Sequence, residues 1–122
     1  MAQSFGQLLR SRRRDAGISQ RRLAEEVGVD FSYVSKLEND RIPAPAGDTI
    51  LRIAKAVRCD AEELLAAARK MPSQVEEAIV QAPEAQRFLQ AASSMKLSRK
   101  EWEALIGKLE SLRDPGQEGS NG

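Results

Sequence analysis

Residues 19 to 38 constrain this chain more than any other stretch, because two short apolar-periodic segments meet there across a single glycine. Leu23, Ala24 and Val27 recur at helical spacing behind Ser19, whose side-chain oxygen can cap a helix, and Gly28 ends the run. Asp30 then offers a second cap, with Val34 and Leu37 facing inward and Phe31, Ser32, Ser35, Lys36 and Asn39 left toward solvent. Gly28 can take a positive φ at little cost and Val29 can turn inward, so the two helices are expected at a fixed angle with the second one protruding. Paired helices of this kind occur in many all-α proteins, and the pair alone fixes a geometry rather than a role.

The remaining sequence is helical in pattern as well, and the fold class read from it is all-α. Phe5, Leu8, Leu9 and Arg12 give a first helix that Gly17 stops. Pro43, Pro45 and Gly47 mark a loop, after which Asp48 or Thr49 is expected to start a helix carrying Ile50, Ile53, Ala54 and Val57. Asp60 and Glu63 have capping-box spacing ahead of Leu64 and Leu65. Five short helices therefore fit residues 4 to 70, and residues 1–70 are read as one domain.

Three more helices are expected in residues 71–113. Pro72-Ser73 with Glu76 reads as one start, Pro83 opens a segment containing Phe88 and Leu89, and Ser98 with Glu101 makes another capping box. In the last of these, Trp102, Leu105, Ile106, Leu109 and Leu112 form one apolar stripe that something must cover. Residues 114–122, DPGQEGSNG, are polar and Gly-rich and read as a mobile tail.

Composition removes most other classes. With 41% hydrophobic, 30% charged and 4% aromatic residues, the chain has a soluble globular profile. The N-terminal stretch lacks the apolar run of a signal peptide and no segment is long enough to span a bilayer, so a cytoplasmic protein without membrane contact is expected. Cys59 is the single cysteine and histidine is absent, which disfavours zinc sites and imidazole-based acyl transfer. No catalytic residue, metal or cofactor is expected. Charge is uneven: residues 1–59 carry 11 Lys and Arg against 7 Asp and Glu, and residues 60–122 carry 8 against 11. The basic half is the one suited to phosphate contact.

The string LLRSRRRDAGISQRRLAEEVGVDFSYVSKLEND, followed by TILRIAKAV and DAEELL, resembles the Cro and cI repressor-like (XRE) family of helix-turn-helix regulators and covers nearly all of residues 5 to 65. The resemblance implies a five-helix domain that binds double-stranded DNA at a palindromic operator, with the helix beginning near Asp30 entering a major groove about 12 Å wide. It assigns Gln20 to a phosphate at a helix N-terminus, and Phe31, Ser32, Ser35 and Lys36 to the approach toward base edges. Lys36 is the first choice among them, since an ammonium can donate to guanine O6 and N7. Phe31 departs from the polar residue common at its position and is left between a thymine methyl, a sugar edge and packing on its own domain. Tyr33, Asn39 and Arg41 flank the helix where such proteins touch phosphates, and Arg21 joins them from among Arg10, Arg14, Arg21 and Arg22. Arg13 and Glu38 are assigned to a structural salt bridge.

Such proteins usually bind as homodimers with recognition helices about 34 Å apart. Trp102, Leu105, Ile106, Leu109 and Leu112 are the expected dimerisation surface, the other reading being that this helix folds back on its own domain. The segment AARKMPSQVEEAIVQAPEAQRFLQAA resembles the extension of repressors paired with an IrrE or ImmA-type metallopeptidase, implying a cut after residue 71. Two alternatives stand beside a dimeric repressor. One is an antitoxin that gives its C-terminal helices to a toxin, and the other is a protein-interaction module that binds no DNA.

Overall fold

The computed structural model describes residues 3–113, and within them every regular element is a helix. The helices are α1 (Phe5–Asp15), α2 (Gln20–Val27), α3 (Phe31–Glu38), α4 (Gly47–Val57), α5 (Ala61–Ala68), α6 (Ser73–Gln81), α7 (Pro83–Met95) and α8 (Arg99–Ser111). Five fall inside residues 4 to 70 and three follow, eight in all among the described residues. The tail read at 114–122 lies outside the described residues. The chain divides into two compact units at Ala78 and Ile79, within α6.

In the first unit, helices α1 to α5 surround one core. Leu9, Leu23, Val34, Leu37, Ile50 and Leu64 are its most completely buried side chains, and all five helices contribute to it. Gly28 ends α2 at φ +81°, and its N–H and that of Val29 both donate to the Ala24 carbonyl, which lets α3 start two residues later. Gly6 is needed for a different reason. A Cβ there would run into the Leu37 carbonyl and the Asp40 carboxylate, so glycine is what lets the start of α1 lie against the end of α3.

Capping follows the sequence at some helix starts and departs from it at others. Ser19 accepts from the Arg22 N–H at 3.0 Å, as its position predicts. Asp30 occupies the N-cap of α3 without a side-chain bond, because the Tyr33 N–H it would hold bonds the Asp30 carbonyl instead. The Asp60–Glu63 capping box does not form: the Glu63 N–H goes to the Asp60 carbonyl, and the Glu63 carboxylate takes two bonds from Arg12, at 2.7 and 3.1 Å. A charge-assisted fork is a stronger partner than one backbone amide. Helix α4 starts at Gly47 rather than at Asp48 or Thr49. Asp48 serves α6, accepting from the Ser73 N–H at 2.9 Å and the Ser73 hydroxyl at 2.7 Å.

The second unit holds α7 and α8. Pro83 sits in the first turn of α7, and Ser98 and Glu101 close a reciprocal capping box at α8, both as expected. The Gln86 side chain donates to the carbonyls of Ile79 and Val80, tying down the break between α6 and α7. Ala92 is the one apolar side chain buried in this unit among the described residues. Trp102, Ile106, Leu109 and Leu112 stay exposed and Leu105 half-buried, with Phe88 and Leu89 of α7 lining the same apolar cavity of about 560 Å³. No described helix is long and apolar enough to cross a membrane.

Candidate nucleic-acid interface

Helix α3 has two faces of opposite character. Val34 and Leu37 anchor it in the core, while Phe31, Ser32 and Lys36 are exposed and Tyr33 and Ser35 are half-buried. The buried side carries a charge as well. Glu38 is 2% exposed at the end of α3, and Arg13 of α1, 9% exposed, meets it with two parallel bonds of 2.6 and 3.0 Å. The same guanidinium donates to the Ile18 carbonyl at 2.9 Å, so the loop before α2 joins the cluster. Arg10 adds a longer contact to Glu38 at 3.4 Å. Burial pushes the Glu38 carboxyl up, but hydrogen bonds from Arg13 and Gln20 and the nearby positive charge outweigh it, leaving the group below the ordinary carboxylate value.

This cluster takes in residues that the sequence assigned to phosphates. Gln20 points its side-chain amide at Glu38, 2.9 Å away, which leaves its second amide hydrogen and its backbone N–H in the first turn of α2 as donors. Asn39 is engaged at both ends, accepting from Arg10 at 2.8 Å and donating to the Ser35 carbonyl at 2.9 Å. Arg41 is exposed immediately beyond α3, where its N–H caps the Lys36 carbonyl. Arg21 of α2 lies over the Phe31 ring, 5.0 Å from its centroid. Arg10, Arg13, Arg14, Gln20, Arg21 and Phe31 line one open, mostly polar cleft beside the start of α2, a setting suited to an anion.

Sequence reasoning missed Asp40. It takes a left-handed φ of +56°, closing α3, and its carboxylate receives the Gly6 N–H at 3.0 Å and the Ser4 hydroxyl at 2.6 Å. The Asn39-Asp40 pair was a legible signal, since both residue types tolerate left-handed backbone. Arg52 was also missed. It donates to the Val27 carbonyl at 3.0 Å and so holds the turn from below. No group of three or more His, Cys, Asp or Glu able to hold a metal occurs among the described residues.

A helix-turn-helix domain family matches residues 4–67, just over half of the chain. Over 79 residues, 62% of this chain, the sequence is 39% identical to proteins named as uncharacterized HTH-type transcriptional regulators in two strains of Mycobacterium tuberculosis, CDC 1551 and H37Rv. The chain spans 56% of the length of those curated relatives. Among solved structures, the P22 c2 repressor in complex with a synthetic operator is 32% identical, with 54% of this chain and 98% of that one covered at a TM-score of 0.49. The restriction-modification controller protein C.AhdI from Aeromonas hydrophila is 38% identical, with 49% and 86% covered at a TM-score of 0.46. The chain belongs to the helix-turn-helix domain family, as the resemblance of residues 5 to 65 to Cro and cI-like regulators led us to expect.

Proposed function

We propose that this chain is a sequence-specific DNA-binding transcriptional regulator, a repressor that binds a palindromic operator as a homodimer. One observation carries the reading: α3 is locked by its buried face and the Glu38 cluster, yet presents Phe31, Ser32 and Lys36 outward. A reading helix must be rigid behind and bare in front, because base-edge hydrogen bonds require fixed donor positions. Lys36 and Ser32 then face the bases, with Ser35 and Phe31 beside them. The Gln20 backbone N–H, Tyr33 and Arg41 set register on phosphates, and Asn39 contributes through the one amide hydrogen not given to Ser35. The Mycobacterium tuberculosis relatives, named as HTH-type transcriptional regulators, support a regulator.

One domain reads about half a site, so pairing of two copies is part of the proposal. The exposed Trp102, Ile106, Leu109 and Leu112 are the surface assigned to it. The same surface supports a second reading, an antitoxin that offers these helices to a toxin, and co-purification of a small second protein with the native operon separates the two. A partner peptidase cutting beyond residue 71 would act by parting the pairing surface from the DNA-binding unit. An intact chain after co-expression with such a peptidase excludes that control.

The deciding experiment is a gel shift on the upstream region of the gene across a salt series, with wild type and Lys36→Ala. Binding that weakens steeply with salt and a variant that loses about 1–3 kcal/mol of base discrimination are the expected results. No shift at low salt overturns the proposal.

A further inference from the structure

Arg21 entered the sequence reading as a phosphate ligand, and its geometry gives it a different task. Of the six arginines of α1 and α2, Arg10, Arg12, Arg13 and Arg22 spend nitrogens on partners within the protein. The guanidinium groups of Arg14 and Arg21 have no hydrogen bond or ion pair among the described residues, and only that of Arg21 is held in place, over the ring of Phe31 at 5.0 Å from its centroid. Phe31 is the first residue of α3 and is 43% exposed. In helix-turn-helix docking the N-terminal residues of the second helix are the ones that meet base edges. The guanidinium therefore rides on the reading end of α3, away from its flanks.

The cation–π contact also bears on what the group can bind. A guanidinium seated over a ring and without a hydrogen bond or ion pair inside the protein keeps its N–H fork for an outside partner. That fork matches the paired O6 and N7 acceptors of guanine in the major groove, and the part-exposed Phe31 ring offers apolar contact to a thymine methyl. We infer that Arg21 and Phe31 form one specificity-determining unit, with Arg21 reading a guanine bidentately and Phe31 both orienting it and contacting the methyl of an adjacent thymine. This rests on the DNA-binding reading above.

The test is selection from randomised duplexes with the full chain, followed by affinities for the selected site and for single-base variants of it, at several salt concentrations. Wild type is expected to select a guanine next to a thymine in each half-site. Arg21→Ala lowers the preference for that guanine roughly 10- to 100-fold, and Arg21→Lys, which keeps the charge without the fork, restores only part of it. Phe31→Leu lowers the preference about 2- to 5-fold, while Phe31→Tyr, which retains the ring, preserves most of it. If Arg21→Ala instead weakens all sequences equally and reduces the salt slope by about one, Arg21 is a phosphate ligand and the inference fails while DNA binding stands. If wild type binds no duplex, both readings fall together.

Discussion

The two units of this chain solve the problem of apolar surface in opposite ways. The first turns the apolar sides of five helices inward, so that Leu9, Ile50 and Leu64 are almost fully removed from water, and spends its charges on Arg13–Glu38 and Arg12–Glu63 contacts that join distant segments. The second buries only Ala92 among its described apolar side chains and leaves Leu109 and Leu112 about two-thirds exposed. Two helices have too few facing positions to cover each other's stripes, whereas five enclose a volume. One unit is finished by its own residues, and the other leaves most of its described apolar side chains uncovered.

The sharpest way to break that contrast is to unpair the first unit's buried charge. Glu38→Gln strands Arg13 and is expected to cost about 3–5 kcal/mol, read by urea unfolding of the full chain. A loss under about 1 kcal/mol means that the cluster does not hold α3 in place. On the other side, Trp102→Ala is expected to weaken self-association about 30-fold in sedimentation equilibrium, as loss of a buried interface aromatic does, with first-unit unfolding unchanged. A drop in first-unit stability with unaltered association contradicts the division.

Titration sharpens the same contrast. The folded Glu38 carboxyl lies below its ordinary value, so its stabilisation is fully present above about pH 4.3 and is lost as pH falls through the lowered folded value. Wild type is expected to lose stability steeply below about pH 4, and Glu38→Gln to follow a flatter curve over the same range. The smallest effect is expected at the cap of α8. Ser98→Ala removes the bond to the Glu101 N–H and costs about 1 kcal/mol, seen as reduced helicity by circular dichroism at high dilution.

Much of this architecture was readable from residues alone where the relevant interaction is local. Ser19, Gly28, Pro83 and the Ser98–Glu101 box act within one turn of themselves, and the structure uses each as its spacing suggests. The apolar periods of α1 to α4 likewise placed Leu9, Leu23, Leu37 and Ile50 in the core. Local rules failed where a distant partner offered more. Glu63 left its own helix for Arg12, 51 residues earlier, and Asp48 capped α6 in place of α4. Helix ends at Arg58, Arg69 and Lys96 take left-handed backbone without a glycine to announce it.

By itself the sequence determined the helices, the inward faces, the bare outer face of α3 and the pairing of Arg13 with Glu38, because periodicity and family resemblance both act through positions fixed along the chain. Tertiary structure alone decided that Gln20 and Arg10 converge on the same carboxylate, that Asp40 seats the start of α1, and that Arg21 rests on Phe31. Those contacts depend on the angle between helices, and that angle is set by how the whole core packs.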